Sequence, residues 1–273
     1  MRNDVAFGQY YPAQSFVHKM DPRAKIVLLI AYIVLIFVVR NFYGFAVCAG
    51  LLVFAVIFSR VPVLKVLKSI RAILFIIIIT VTINLFLHRE DGDVVLFNRW
   101  IFTITDSSVR FAGFMALRLI LLILGSSLLT LTTTPVSLTD GLESLMSPLR
   151  LVRFPVHELA LVMSIALRFI PTLMEETDRI ISAQKARGAD FDSGNIFKRI
   201  KALIPILIPL IISAFRRADE LGDAMEARCY TGSKIRTKYK KLKFTVYDAI
   251  GLLFVAMAYA GVILLNVYTV ALI

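Results

Sequence analysis

Two short stretches, Ala186-Arg187-Gly188 and Ala227-Arg228-Cys229, carry the most specific chemistry in this chain. Each follows an acidic-rich turn, Glu175-Glu176-Thr177-Asp178 in one case and Asp219-Glu220-Leu221-Gly222-Asp223 in the other. Each is followed by an aromatic residue and a glycine, Phe191 with Gly194 and Tyr230 with Gly232. Arginine presents a planar fork of donors that meets a carboxylate two bonds at a time. Small neighbours let the end of a helix enter a groove closely. The plain alternative is a helix cap, since arginine suits the C-terminal dipole and glycine the position just past the last turn. One such triplet would be a cap. Two matched triplets on consecutive helices read as a paired docking plug. Catalysis is a poor match: there is no Gly-x4-Gly-Lys-Ser/Thr phosphate loop. His18, His88 and His157 are scattered without metal-ligand spacing, and Cys48 and Cys229 read as two unpaired thiols. No catalytic residue, metal or cofactor is expected.

The triplets need long helices to hold them. Residues 157–187 and 195–228 have helical patterns about 45 and 50 Å long at 1.5 Å per residue. Each begins apolar and ends charged. Pro171 in the first, and Pro205 and Pro209 in the second, each remove one backbone bond and are candidate hinges.

Composition sets the surroundings. The chain has 273 residues, 58% hydrophobic and 18% charged, with a mean hydropathy of +0.79. A soluble domain is nearer 45–50% apolar and about 25% charged, so a polytopic membrane protein is expected. Apolar runs occupy 26–39, 42–58, 72–87, 111–131 and 249–273. Net charge is +12, and the basic residues Arg2, Lys19, Arg23, Lys25 and Arg60, Lys65, Lys68, Arg71 flank the first two runs, which marks those flanks as cytoplasmic. The first two runs then form a hairpin turning at Arg40-Asn41. Residues 88–108 fall outside, with a turn at Asp91-Gly92-Asp93 and a β-ribbon pairing Val94–Phe97 with Trp100–Thr105.

The expected fold is therefore all-α: about five transmembrane helices in a 4+1 arrangement, with two long cytoplasmic or interfacial coupling helices inserted before the last span. The expected divisions are a cytoplasmic lead at 1–25, a four-helix membrane domain at 26–131, a cytoplasmic coupling domain at 132–243 and a final span at 244–273. The N-terminus is expected inside and the C-terminus outside. The apolar runs 159–174 and 202–215 are short and join charged halves, so they read as buried or interfacial helices rather than spans.

Few polar groups lie within the spans. Arg118 is the most expensive of them and reads as a structural charge holding the bundle or a partner subunit. Asn84 and the pair Ser126-Ser127 complete the set, the serines favouring close helix packing. A self-contained permease would need more converging polar residues than these, and a lipid-processing membrane enzyme would need a catalytic constellation. The basic run Lys234, Arg236, Lys238, Lys240, Lys241, Lys243 precedes the last span and fits positive-inside placement and lipid contact, not nucleic-acid binding.

Three stretches together resemble the transmembrane T component (EcfT, CbiQ-like) of energy-coupling factor importers. They are Met20-Asp21-Pro22-Arg23-Ala24-Lys25; Arg168-Phe169-Ile170-Pro171-Thr172-Leu173 continuing to Ala183-Gln184-Lys185-Ala186-Arg187-Gly188-Ala189; and Ser213–Glu220 through Ala224–Gly232. Cys229 departs from the simplest form of the motif, which has glycine there. The resemblance implies a non-catalytic coupling subunit of an ABC-type importer for vitamins or metal ions in a prokaryotic cell membrane. It implies that Arg187 and Arg228, with Ala186, Gly188 and Ala227, dock into grooves on two cytosolic ATPase subunits. It implies that the membrane helices and the apolar halves of the long helices cradle a separate substrate-binding S component.

Overall fold

The computed structural model describes residues 10–87, 95–99, 102–152, 154–189, 191, 196–230 and 243–270. In chain order these form α1 (Phe16–Lys19), α2 (Pro22–Val38), α3 (Phe42–Ser59), α4 (Val63–Leu87), β1 (Val95–Arg99), β2 (Phe102–Thr105), α5 (Asp106–Thr132), α6 (Pro135–Leu145), a 3-10 turn (Ser147–Val152), α7 (Val156–Ala186), α8 (Ile196–Ala227) and α9 (Val246–Val270). The chain divides into two compact units, one comprising residues up to Val156 together with those from Leu242, the other His157–Lys241.

In the first unit α2 is the central helix and packs against α3, α5, α6 and α9. Leu35, Ile36 and Cys48 are fully buried there, beside Tyr32, Phe45, Leu124 and Val262. The outward faces of the same helices stay apolar: Ile57 is 66% exposed and Phe75 72%. Such faces suit a hydrocarbon solvent, not water. Close approach at the centre depends on Gly125 of α5, where an added Cβ would stand 2.5 Å from Cε1 of Tyr32. Ser127 of α5 hydrogen-bonds Ser69 of α4 across 2.6 Å, as its small polar side chain favours. Asn84 turns back onto its own helix, donating to the Thr80 carbonyl.

The start of α2 is fastened by the residues around Asp21. The Asp21 Oδ1 caps the helix by accepting the Arg23 N–H at 2.9 Å, with Pro22 at the first helical position. The Asp21 N–H donates to Oδ1 of Asp248 at 2.8 Å, while Oδ2 of Asp248 accepts the Thr245 N–H at 2.7 Å. Lys25 Nζ donates to the Thr132 carbonyl at 3.0 Å and the Thr133 hydroxyl at 3.3 Å. One motif thus ties the lead, the end of α5 and the start of α9. In the lead, His18 bridges Ser15 and the Tyr11 carbonyl, and burial pushes its imidazole below the ordinary histidine range.

The expected β-ribbon forms, with β1 antiparallel to β2, but its first strand runs on to Arg99 and its second begins at Phe102. The turn at Asp91-Gly92-Asp93, residues Val94 and Trp100, and most of the basic run 234–241 lie outside the described residues. The hairpin of α2 and α3 turns at Arg40-Asn41, also as expected.

The number of candidate spans agrees with the expected count of about five, with α7 added to the set. Four helices, α3, α5, α7 and α9, are long and apolar enough to cross a bilayer, and α4 adds a fifth if its parts Val63–Arg71 and Ile73–Phe86, bent by 56°, count as one broken span. The chain is thus an all-α polytopic membrane protein with four to five such helices. The first apolar run becomes the 17-residue α2, at the short end of the range for a span. The run at 159–174 merges into the 31-residue α7 and qualifies, because Arg168 and Pro171 interrupt its hydropathy without ending the helix.

Candidate coupling site

Within the second unit, α7 and α8 have 31 and 32 residues, about 46 and 48 Å of helix. Both continue through their prolines: Pro171 lies inside α7, and Pro205 and Pro209 inside α8. A proline nitrogen has no hydrogen to donate, so the carbonyls of Leu167, Lys201 and Pro205 lose their ordinary intrahelical partners. The N-terminal halves expose apolar side chains, Val162 and Met163 on α7 and Leu207, Ile208, Ile211 and Ile212 on α8.

The two C-terminal tips share one geometry. At the end of α7 the Gly188 N–H donates to the Lys185 carbonyl at 3.0 Å and the Ala189 N–H reaches back to Gln184 at 3.0 Å. At the end of α8 the Cys229 N–H donates to the Glu226 carbonyl at 2.8 Å and the Tyr230 N–H reaches back to Met225 at 3.0 Å. This paired bonding is the Schellman arrangement, which closes a helix through one left-handed residue. That residue is Gly188 at φ +87° in α7 and Cys229 at φ +54° in α8. Arg187 and Arg228 therefore occupy the same cap position. Ala186, Arg187, Gly188, Ala227, Arg228 and Cys229 are all exposed. The two readings raised by the sequence coincide, since the cap is what fixes each arginine on the outer turn. Cys229 takes a conformation that glycine adopts without strain, so the departure from glycine is energetic rather than architectural.

An ion pair links the helices. Arg217 Nη2 of α8 meets Glu176 Oε2 of α7 at 3.4 Å, both side chains about 30% exposed. Among the described residues α7 and α8 share no extended packed face. The pair is spaced in sequence as the tips are, and each partner precedes its tip arginine by the same interval, Glu176 to Arg187 and Arg217 to Arg228. Sequence reasoning placed both residues in charged turns without pairing them, although the shared 41-residue offset was a usable signal. The other acidic residues, Glu175, Asp219, Glu220, Asp223 and Glu226, lie exposed.

Arg118 sits apart, in the first unit. Its Nη2 donates to the Val39 carbonyl at 3.5 Å, and its guanidinium stands 5.3 Å from the Phe37 ring centroid. It holds the C-terminal end of α2 against the middle of α5. Among the described residues no group of His, Cys, Asp and Glu is placed to hold a metal ion.

Known proteins give the same layout a family. Residues 13–239 match the profile of CbiQ, cobalt transport protein. The chain is 49% identical over 250 residues to the energy-coupling factor transporter transmembrane protein EcfT of Ruminiclostridium cellulolyticum, covering 92% of each chain. It is 51% identical to EcfT of Brevibacillus brevis, covering 92% of this chain and 94% of that one. The corresponding protein of Bacillus subtilis is 43% identical over 248 residues, with 91% and 93% covered. The chain belongs to this CbiQ/EcfT family and is a transmembrane component of an energy-coupling factor transporter.

Proposed function

We propose that this chain is the coupling subunit of an importer whose ATP chemistry resides in two cytosolic ABC-type ATPase subunits. Arg187 and Arg228 each enter a groove on one of these subunits and pair with a carboxylate there. The apolar halves of α7 and α8, with the membrane helices, receive a membrane-embedded S component that binds the vitamin or metal ion. ATP binding draws the two grooves together, the tips follow, and α7 and α8 change their crossing angle about Glu176 and Arg217. Pro171, Pro205 and Pro209 absorb bending along the way. The chain itself catalyses nothing. It lies in the plasma membrane with its N-terminus cytoplasmic and its C-terminus outside. The observation that carries this reading is the identity of the two caps, which present two exposed arginines in the same way on consecutive helices.

The test is affinity purification of the tagged chain from its native membranes, wild type beside Arg187→Glu/Arg228→Glu. Two ATPase subunits and a small apolar membrane protein should accompany the wild type, and the ATPases should be lost from the variant. A burial-free surface substitution leaves folding intact, so loss of the partners reports docking. Identical behaviour of both proteins would reduce the arginines to helix caps.

A further inference from the structure

The end of the first unit that carries Asp106 holds a charged cleft that the coupling reading does not use. α2 and α5 are in step where Lys25 meets Thr132 and again where Arg118 meets Val39. Beyond Arg118, α5 continues for another 12 positions to Asp106, about 18 Å of helix, past Phe114, whose ring packs on Phe42 at the start of α3. This stretch and the α2–α3 turn enclose a cleft of about 530 Å³ lined by Phe37, Arg40, Asp106, Arg110 and Arg118 among others. Three guanidinium groups face one carboxylate there. Asp106 is engaged by Arg110 at 2.8 Å. Arg40 is exposed and bonds to no described residue. Arg118 makes a long bond to Val39 and stands over the Phe37 ring, and its Nε is buried without a hydrogen-bond partner among the described residues. A positive excess with open donors, beside a helix apolar enough to span the bilayer, is costly without an anion.

A second cleft, of about 570 Å³, adjoins the first and shares Phe37 and Arg40 with it. Its other walls are Val38 of α2 and Ile263, Asn266 and Val267 of α9, and they are mainly apolar. A charged pocket and an apolar channel meeting at one arginine match a molecule with an anionic head and a hydrocarbon tail. We propose that an anionic glycerophospholipid binds here, its phosphate between Arg40 and Arg118 and one acyl chain along Val38, Ile263 and Val267. Guanidinium forks bind phosphate oxygens in pairs, and the buried Nε of Arg118 shows that its guanidinium is partly withdrawn from water. The apolar cleft selects the lipid over a free phosphate ion.

The test uses the full chain, purified in detergent, delipidated and titrated with dioleoyl-phosphatidylglycerol, with bound lipid counted by native mass spectrometry. Separate arms use dioleoyl-phosphatidylcholine and inorganic phosphate. The wild type should retain one phosphatidylglycerol, phosphatidylcholine should not replace it, and millimolar phosphate should not displace it. Arg40→Gln should weaken retention about tenfold, the scale of losing a charge-assisted pair of bonds. Arg40 is exposed and bonds to no described residue, so this variant folds; Arg118→Lys, which keeps the charge without the fork, should weaken retention less than Arg118→Gln. Equal retention by wild type and Arg40→Gln, or equal retention of the two lipids, overturns the proposal. Full displacement by inorganic phosphate also overturns it and makes the site one for a free anion.

Discussion

Replacing Cys229 with glycine isolates the energetics of one helix tip. Cys229 sits at φ +54°, and a left-handed conformation costs an L-residue about 1–2 kcal/mol. Glycine removes that strain but loses about 0.5–1 kcal/mol more in backbone freedom on ordering. The difference leaves Cys229→Gly stabilising the cap by about 0.7 kcal/mol, a factor of about 3 in its opening equilibrium. The reciprocal change is Gly188→Ala, at φ +87°, where an added Cβ meets nothing within 4 Å and only the backbone objects. It should loosen the α7 cap by at least as much. Hydrogen exchange followed by mass spectrometry reads both caps through the bonds they close. Peptides containing the amides of Cys229 and Tyr230 should exchange about threefold more slowly in Cys229→Gly. Those containing Gly188 and Ala189 should exchange faster in Gly188→Ala. Peptides from α2 and α3 should be unchanged in both. Unaltered exchange at the α8 tip in Cys229→Gly would refute the assignment of strain to that residue.

Asp248→Ala leaves the N–H groups of Asp21 and Thr245 without their acceptor, a loss of about 3 kcal/mol that should lower the thermal unfolding midpoint in detergent, while Asp248→Asn should lower it less. Gly125→Ala forces a methyl group into the Tyr32 ring and should destabilise by about 1–3 kcal/mol, with Tyr32→Leu partly restoring the double variant in the same assay. Burial lowers the His18 pKa in the fold. Its contribution is therefore complete above the ordinary histidine value of about 6.5 and is lost as pH falls through the lowered folded value. Limited proteolysis across Tyr11–Phe16 should accelerate at acid pH in the wild type and lose that pH dependence in His18→Asn.

The tips were legible because their signals are local. A helix end, its arginine and its left-handed residue fall within a few positions, and two copies at one offset exclude coincidence. The pairing of Glu176 with Arg217 was not legible as a contact, since it joins turns 41 residues apart and depends on how two helices cross. The motif Met20–Lys25 was noticed as family-like, yet its physical role emerged only with the fold: Asp21 caps α2 while its own N–H meets a carboxylate more than two hundred residues away. The continuity of α7 was legible too: the helical pattern runs over 157–187, and the backbone passes Arg168 and Pro171 without a break.

The place where Arg217 meets Glu176 also fixes a mechanical ratio. From that point, each helix runs about 30 Å back to its start and about 15 Å forward to its end. If α7 and α8 turn about that point, they form a lever with unequal arms, whose ratio is an upper limit because bending at Pro171, Pro205 and Pro209 shortens the effective long arm. A displacement of the arginine ends is then roughly doubled at the apolar ends, and the force available there is roughly halved. The gearing favours reach over strength, which suits moving a body through a fluid bilayer more than prising apart a tightly packed interface.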